Sequence, residues 1–241
     1  MAAIFLDLYG VLVDSVVVET LYNERMAAIL ERRFGGGLDR WLRTWMESYE
    51  RYQAGGAELD RRPGEEREGD AWVEAVYELN ADQMRYALQH MGCEIPADLH
   101  DFAEAAEAET VRGIDGTYPD VRPALTALQD DGHRLFLSTN ANRANAESAL
   151  VGGGIRGFFD GLLMLETGRA KKDRPYYWRR AFEHARSRPE EAIVVDDQAR
   201  FLRPAHELGA RGVQLIRAGL RRATGEFPVL DSLAAVADVL R

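Results

Sequence analysis

The sequence predicts an α/β fold, a Rossmann-like parallel sheet with helices on both faces and an all-helical segment inserted after the first strand. Three observations predict it. Short continuous apolar runs, each ending in polar residues, recur at Ile4–Leu6, Leu135–Leu137, Ile193–Val195 and Gly212–Ile216, the pattern of strands buried on both faces. From residue 118 onward such runs alternate with helical periods, which argues parallel strands joined by crossover helices. Between the first and second runs lie about a hundred residues with helical periodicity and no strand signal.

The elements follow in order. Ile4-Phe5-Leu6 is the first strand, broken at Gly10, and Asp7 stands at its carboxyl end. Tyr22, Met26, Ile29 and Leu30 mark one helical face, ended by Gly35-Gly36-Gly37. The same period returns at Leu42, Trp45, Met46 and Tyr49, then at Trp72 to Leu79, then at Met84, Leu88 and Met91, and last at Leu99, Phe102 and Ala106. Residues 54–70 carry Gly55-Gly56, Pro63-Gly64 and dense charge, the composition of a loop, either a mobile element or a solvated excursion.

In the second half, a helix with Val121, Leu125 and Leu128 inward closes at Asp131-Gly132. The strand Leu135–Leu137 ends in Ser138-Thr139-Asn140, and a helix over about 143–150 stops at Gly152-Gly153-Gly154. That triplet follows a helix and precedes no Gly-Lys-Ser/Thr, so it reads as a helix cap and turn and not as a phosphate loop. A helix over about 177–185 precedes the strand ending in Asp196-Asp197. A helix through Leu202, Ala205 and Leu208 stops at Gly209, and the strand Gly212–Ile216 follows. Leu230, Leu233, Val236, Ala237 and Leu240 predict a closing helix. The predicted organisation is a discontinuous α/β domain, residues 1–14 and 115–241, with a helical domain over 15–114 in a lid position above the first strand's carboxyl end.

Composition narrows the function classes. The chain has 241 residues, 46% hydrophobic and 29% charged, typical of a folded globular protein. A net charge of −10 disfavours nucleic acid and anionic membranes as partners. A small-molecule substrate, and a monomer or homodimer, are the expectation. Cys93 is the only cysteine, which excludes an intramolecular disulfide and a cysteine zinc cluster. Asp7 interrupts the first apolar run and no run is long enough to span a bilayer, so a cytoplasmic location is expected.

A carboxylate at the end of a buried parallel strand sits where open α/β sheets bind ligands, and can serve as nucleophile or metal ligand. Asp7-Leu8-Tyr9-Gly10-Val11-Leu12 resembles the first motif of the haloacid dehalogenase superfamily, commonly Asp-x-Asp-Gly-Thr/Val-Leu/Val. The resemblance implies that Asp7 is the covalent nucleophile. It departs at Tyr9, where the family's phosphatases carry a second Asp as general acid and base; Tyr there is similar to the family's 2-haloacid dehalogenases. Thr139 matches the second motif and, with Asn140, would hold an oxygen of the substrate. Lys172, in Lys172-Asp173-Arg174-Pro175, resembles the family's Lys-Pro-x-Pro with the first proline lost, and would neutralise the nucleophile and the transferred group; Lys171 is the adjacent alternative.

Asp196 and Asp197 match the fourth motif. Two neighbouring carboxylates at a buried strand end repel unless a cation lies between them, which makes Mg2+ the implied cofactor, held by Asp7, the Tyr9 carbonyl, Asp197 and, assisting, Asp196. The family's further acid four residues on is absent, since Phe201 stands there.

The motif set is a hybrid. Tyr9 fits loss of a halide, which needs no proton, and the Asp196-Asp197 pair fits metal-assisted phosphoryl chemistry. A hydrolase is expected, with phosphoryl transfer ahead of dehalogenation; a dehalogenase would also need an arginine for its substrate carboxylate, with Arg40 and Arg43 available. The third reading is a catalytically impaired protein that binds a phosphoryl ligand.

Overall fold

The computed structural model describes residues 1–217, 219 and 222–239. Six parallel strands form one sheet in the order β3-β2-β1-β4-β5-β6: β1 (Ala3–Leu6), β2 (Arg134–Ser138), β3 (Gly161–Leu163), β4 (Ala192–Asp196), β5 (Arg211–Leu215) and β6 (Val229–Leu230). The register pairs Leu6 with Leu137 on one side and with Val195 on the other. The residues that follow these three are therefore level with one another at the sheet's carboxyl edge. The chain builds outward from β1 in one direction through β2 and β3, then returns to the other side with β4. The Asp7 and Asp196 positions thus flank the point where strand order reverses, the usual ligand crevice of open parallel sheets.

Alternation along β1 explains the layering. Ile4 and Leu6 point to one face, packed with Val121, Leu125, Ala146 and Leu150 of α5 (Val121–Asp130) and α6 (Arg143–Gly152) once the preceding helices are counted. Ala3 and Phe5 point to the other, where Tyr177, Trp178 and Phe182 of α8 (Pro175–Ala185) and Leu202 of α9 (Ala199–Glu207) cover them. A one-turn helix α7 (Leu165–Gly168) follows β3.

Four helices separate β1 from α5: α1 (Ser15–Phe34), α2 (Leu38–Leu59), α3 (Asp70–His90) and α4 (Leu99–Arg112). The Asp14 carboxylate caps α1 by accepting from the Val16 and Val17 amides, and α1 ends where Gly35 takes a φ of 67°. The inward faces share their own apolar cluster, with Met26, Leu30, Trp41, Trp45, Met84 and Leu88 at its centre.

Four points of the fold depart from the expectation or add to it. Residues 54–70 are not one loop, because α2 runs through Gly55-Gly56 to Leu59. A Cβ on Gly55 would stand 2.5 Å from Leu79 Cδ1, so glycine is there to let α2 and α3 approach, not to break the helix. The remainder, with a 3-10 turn over Gly64–Arg67, is tied to the segment carrying Lys172. Arg67 pairs with Asp173 at 2.7 Å, Arg174 with Glu68 at 2.9 Å, and the Gly69 amide donates to the Arg169 carbonyl at 2.8 Å. Second, the periodic runs 72–79 and 84–91 belong to the single helix α3. Third, β3 carries no sequence signal because three residues are too few to show a period.

Fourth, the closing segment is not one helix. Val229-Leu230 pair with Gln214-Leu215 as β6, and only a 3-10 turn (Leu233–Ala235) and one-turn α10 (Val236–Val239) follow, started by the Ser232 hydroxyl accepting from the Ala234 amide. Leu240 lies outside the described residues. Among the described residues, no helix is long and apolar enough to cross a membrane.

Candidate active site

The register brings the ends of β1, β2 and β4 together, and the loop before α8 delivers a lysine between them. Lys172 Nζ donates to Asp7 Oδ1 at 2.5 Å, to Asp196 Oδ2 at 2.6 Å and to the Ser138 carbonyl at 3.2 Å. Lys172 is 1% exposed and Asp196 fully buried. The alternative, Lys171, turns away and pairs with Asp60 Oδ1 at 2.7 Å. Lys172 is fixed from behind as well. The Trp178 indole donates to its carbonyl at 2.8 Å, and the Asn140 side-chain carbonyl accepts from its amide at 2.9 Å. Phe201, where a further acid was absent from the sequence pattern, lays its ring 5.0 Å from the ammonium.

Asp197, one residue beyond β4, completes the acidic group: Asp7, Asp196 and Asp197 each bring a carboxylate oxygen within 4.8 Å of the others. The loop after β1 is shaped to admit it. Gly10 has a φ of +88°, and a Cβ there would stand 2.8 Å from Asp197 Oδ2, so only glycine satisfies both the turn and the carboxylate. The loop is closed by Gly10 donating to the Val13 carbonyl at 2.8 Å and by Arg217, which donates to the Val11 carbonyl at 2.7 Å and to Asp120 at 2.8 Å.

Electrostatics follow from burial. Loss of water pushes the Asp7 and Asp196 carboxyls up and Lys172 pulls both back; the Asp197 charge adds to the rise at Asp7, and the Asp7 and Asp197 charges add to it at Asp196. Burial alone would lower Lys172, but Asp196 and Asp7 outweigh it and hold the ammonium charged. When ionised, three carboxylates against one ammonium would leave two negative charges in excess, on hard oxygen donors only. That donor chemistry fits a small divalent cation, with Asp7, Asp196 and Asp197 as the available side chains.

The other sequence candidates have separate positions. Thr139 is buried; its amide is consumed by the Leu163 carbonyl at 2.8 Å, and its hydroxyl accepts from the Ala141 amide at 3.2 Å, which leaves the hydroxyl proton to donate. Asn140 acts on the Lys172 backbone, a positioning contact the sequence did not suggest. The Tyr9 side chain points into the helical layer. Its hydroxyl donates to Asn145 Oδ1 at 2.6 Å, and burial, then the Glu107 charge, push that phenol far up. Arg40 and Arg43 are exposed on α2.

Sequence reasoning missed Glu107, Asn142 and Asn145. Asn145 Nδ2 donates to Glu107 Oε1 at 2.9 Å and Asn142 Nδ2 to Oε2 at 2.7 Å, while Asn142 Oδ1 caps α6 by accepting from the Asn145 amide at 2.8 Å. Burial pushes the Glu107 carboxyl up and these two amide donors pull it back. In the sequence Glu107 sits in an Ala/Glu-rich run that looks like a solvated helix face, and nothing there pairs it with residues almost forty positions away.

A cavity of about 290 Å³ opens where Tyr9 meets the helices, walled by Tyr22, Trp45, Tyr49, Tyr52 and Glu107 among others.

Comparison with known proteins adds the following. The family model described as haloacid dehalogenase-like hydrolase matches residues 1–209. No curated protein matches significantly. Among solved structures, 2-haloacid dehalogenase from Pseudomonas syringae superposes with a TM-score of 0.71 at 18% identity, covering 100% of this chain and 98% of that one. L-2-haloacid dehalogenase from Xanthobacter autotrophicus, with chloropropionic acid covalently bound, gives 0.61 at 18% identity over the same shares. The HAD hydrolase YfnB from Bacillus subtilis, bound to magnesium, gives 0.64 at 15% identity, again over 100% and 98%. At such identities the likeness carries the fold.

Proposed function

The chain belongs to the haloacid dehalogenase-like hydrolases, and from that premise we propose that it is a Mg2+-assisted phosphatase or phosphoryl-transfer enzyme with Asp7 as covalent nucleophile. The observation that carries the reading is the buried Asp7–Lys172–Asp196 bridge with Asp197 beside it. An ammonium locked between a nucleophile and a second acid has no packing purpose, since a buried ion pair is on average no more stabilising than apolar residues of the same size.

Asp7 uses one oxygen to hold Lys172, which leaves the other to attack phosphorus as the ester P–O bond breaks; the alcohol leaves with a proton from water, and a second water then releases phosphate from the aspartyl phosphate. Lys172 favours the ionised form of the nucleophile and offsets charge building on the transferred group. The Thr139 hydroxyl, its amide already used in the sheet, is the donor for a substrate oxygen. Asp7, Asp197 and the Tyr9 carbonyl, with Asp196 assisting, would hold Mg2+, which would supply positive charge to the phosphoryl oxygens. Tyr9 is not the proton carrier in this scheme: its hydroxyl is given to Asn145 and burial holds its proton fast. Leaving-group protonation therefore lacks a positioned acid, and turnover is slow for poor leaving groups. Residues 15–114 act as the cap that closes over the ester, with 1–14 and 115–241 as the core domain.

Dehalogenation of a 2-haloacid is the second reading, favoured by Tyr9. Against it, the cavity is walled by Glu107 and Glu19, no lysine or arginine lines it among the described residues, and Arg40 and Arg43 are exposed elsewhere. A substrate carboxylate would meet two acidic side chains and no cationic one. Purified protein assayed with a panel of phosphomonoesters and with 2-chloropropionate, with Mg2+ and with chelator, separates the two. Phosphate release that requires Mg2+ supports the proposal, and halide release indifferent to chelator overturns it.

A further inference from the structure

We propose that the aromatic cavity beside Tyr9 takes an ammonium group, so that the substrate class is a phosphomonoester whose alcohol carries a protonated amine. The inference rests on the phosphatase reading for the word phosphomonoester, and on the cavity alone for the word ammonium.

The walls of the cavity argue for it. Tyr22 and Trp45 have rings 6.4 Å apart, and Tyr49 and Tyr52 stack at 6.1 Å, so the hollow of about 290 Å³ is lined largely by aromatic side chains. Ring faces attract a cation, most strongly where water is excluded. An apolar guest would be served equally well by leucine or phenylalanine, and the four phenols and one indole here each carry a polar atom that a plain hydrophobic pocket does not need.

Charge decides the sign of the guest. Glu107 and Glu19 line the cavity, and among its described lining residues there is no lysine or arginine. Glu107 is set up as an acceptor, and an ammonium guest would favour its ionised form. The Asn145 amide fixes the Asn142 side chain by donating to its Oδ1, and the Tyr9 hydroxyl fixes the Asn145 side chain in the same way; both amide NH2 groups are therefore aimed at the two oxygens of Glu107. A carboxylate so held keeps lone pairs for a further donor.

A protonated amine has N–H groups for Glu107, whereas a carboxylate or phosphate guest would be repelled by both glutamates.

The test uses matched probes. Isothermal titration of the whole protein with 3-aminopropan-1-ol and 5-aminopentan-1-ol, against the neutral butan-1-ol and hexan-1-ol, reads the cavity without any chemistry. Amino alcohols binding about tenfold or more tighter than their neutral isosteres support the inference, with Glu107→Gln reducing the preference to about threefold or less. Tyr52→Leu, which leaves the Asn142–Glu107–Asn145 bridge intact, is the second variant and is expected to weaken amino alcohols more than alkanols. Equal or tighter binding of the alkanols, or a preference untouched in both variants, overturns it. Turnover of 3-aminopropyl phosphate against butyl phosphate then separates the two claims: no hydrolysis of either ester with amine binding intact sinks the phosphatase reading alone, and hydrolysis of both at equal kcat/KM sinks the ammonium alone.

Discussion

Lys172→Met removes the one positive charge from a group of three buried carboxylates while keeping the length and the apolar stem of the side chain. Two charge-assisted hydrogen bonds disappear, at 2.5 and 2.6 Å, between partners that are nearly or wholly buried. Breaking a buried pair by deleting one partner costs about 3–5 kcal/mol, because the surviving charges stay buried and uncompensated. With a urea slope of roughly 3 kcal/mol/M for a chain of this size, the unfolding midpoint should fall by roughly 1–1.7 M in chelator at neutral pH. Asp196→Asn should cost less in the Lys172→Met background than in the parent, with a coupling of about 1–3 kcal/mol. Urea titrations of the four proteins followed by circular dichroism measure the cycle. A midpoint shift below roughly 0.3 M for Lys172→Met, or additive costs in the double variant, would refute the claim that these side chains share one electrostatic site.

Gly10→Ala should cost about 1–3 kcal/mol for its positive φ and push Asp197 outward, so Mg2+ affinity by calorimetry falls while the apolar core is untouched; unchanged affinity would remove Asp197 from the metal proposal. Tyr9→Asp should raise phosphomonoester kcat by on the order of a hundredfold or more if only the proton carrier is missing, and no gain would favour a phosphoryl-ligand binding protein. Asp120 titrates below the usual carboxylate range: burial alone would raise it, but hydrogen bonds from Arg217, Ser232 and the Leu233 amide prevail. Its folded pKa is depressed, so its contribution is present above the unfolded value of about 4 and is lost as pH falls through the folded one. Asp120→Asn should therefore lower stability at pH 7 and flatten the stability loss below about pH 4 seen in urea titrations; identical acid profiles would contradict this.

The core of the fold was legible because its strands are buried on both faces, and continuous apolar runs such as Ile193-Val194-Val195 have few other homes in a protein with crossover helices. Asp7 and Asp196-Asp197 were legible for the converse reason, as carboxylates standing at the ends of such runs. Short or edge elements were not legible. Three-residue β3 and two-residue β6 are held by partners distant in sequence, and the Gly55-Gly56 pair reads as a breaker until Leu79 is seen to fill the space it leaves. The Tyr9–Asn145–Glu107–Asn142 chain joins three segments through side-chain amides, and pairwise contacts of that kind leave no periodic trace in a single sequence.

The central claim is that Asp7 becomes covalently phosphorylated in a metal-assisted reaction. Acid quenching of the protein during turnover of a phosphomonoester, followed by peptide mass spectrometry, reads this directly. The account predicts a phosphoryl group on the peptide bearing Asp7, present with Mg2+ and absent with chelator or in Asp7→Asn. Hydrolysis that persists in Asp7→Asn, or a substrate-derived carbon ester on Asp7 that forms from 2-chloropropionate in chelator, would contradict it.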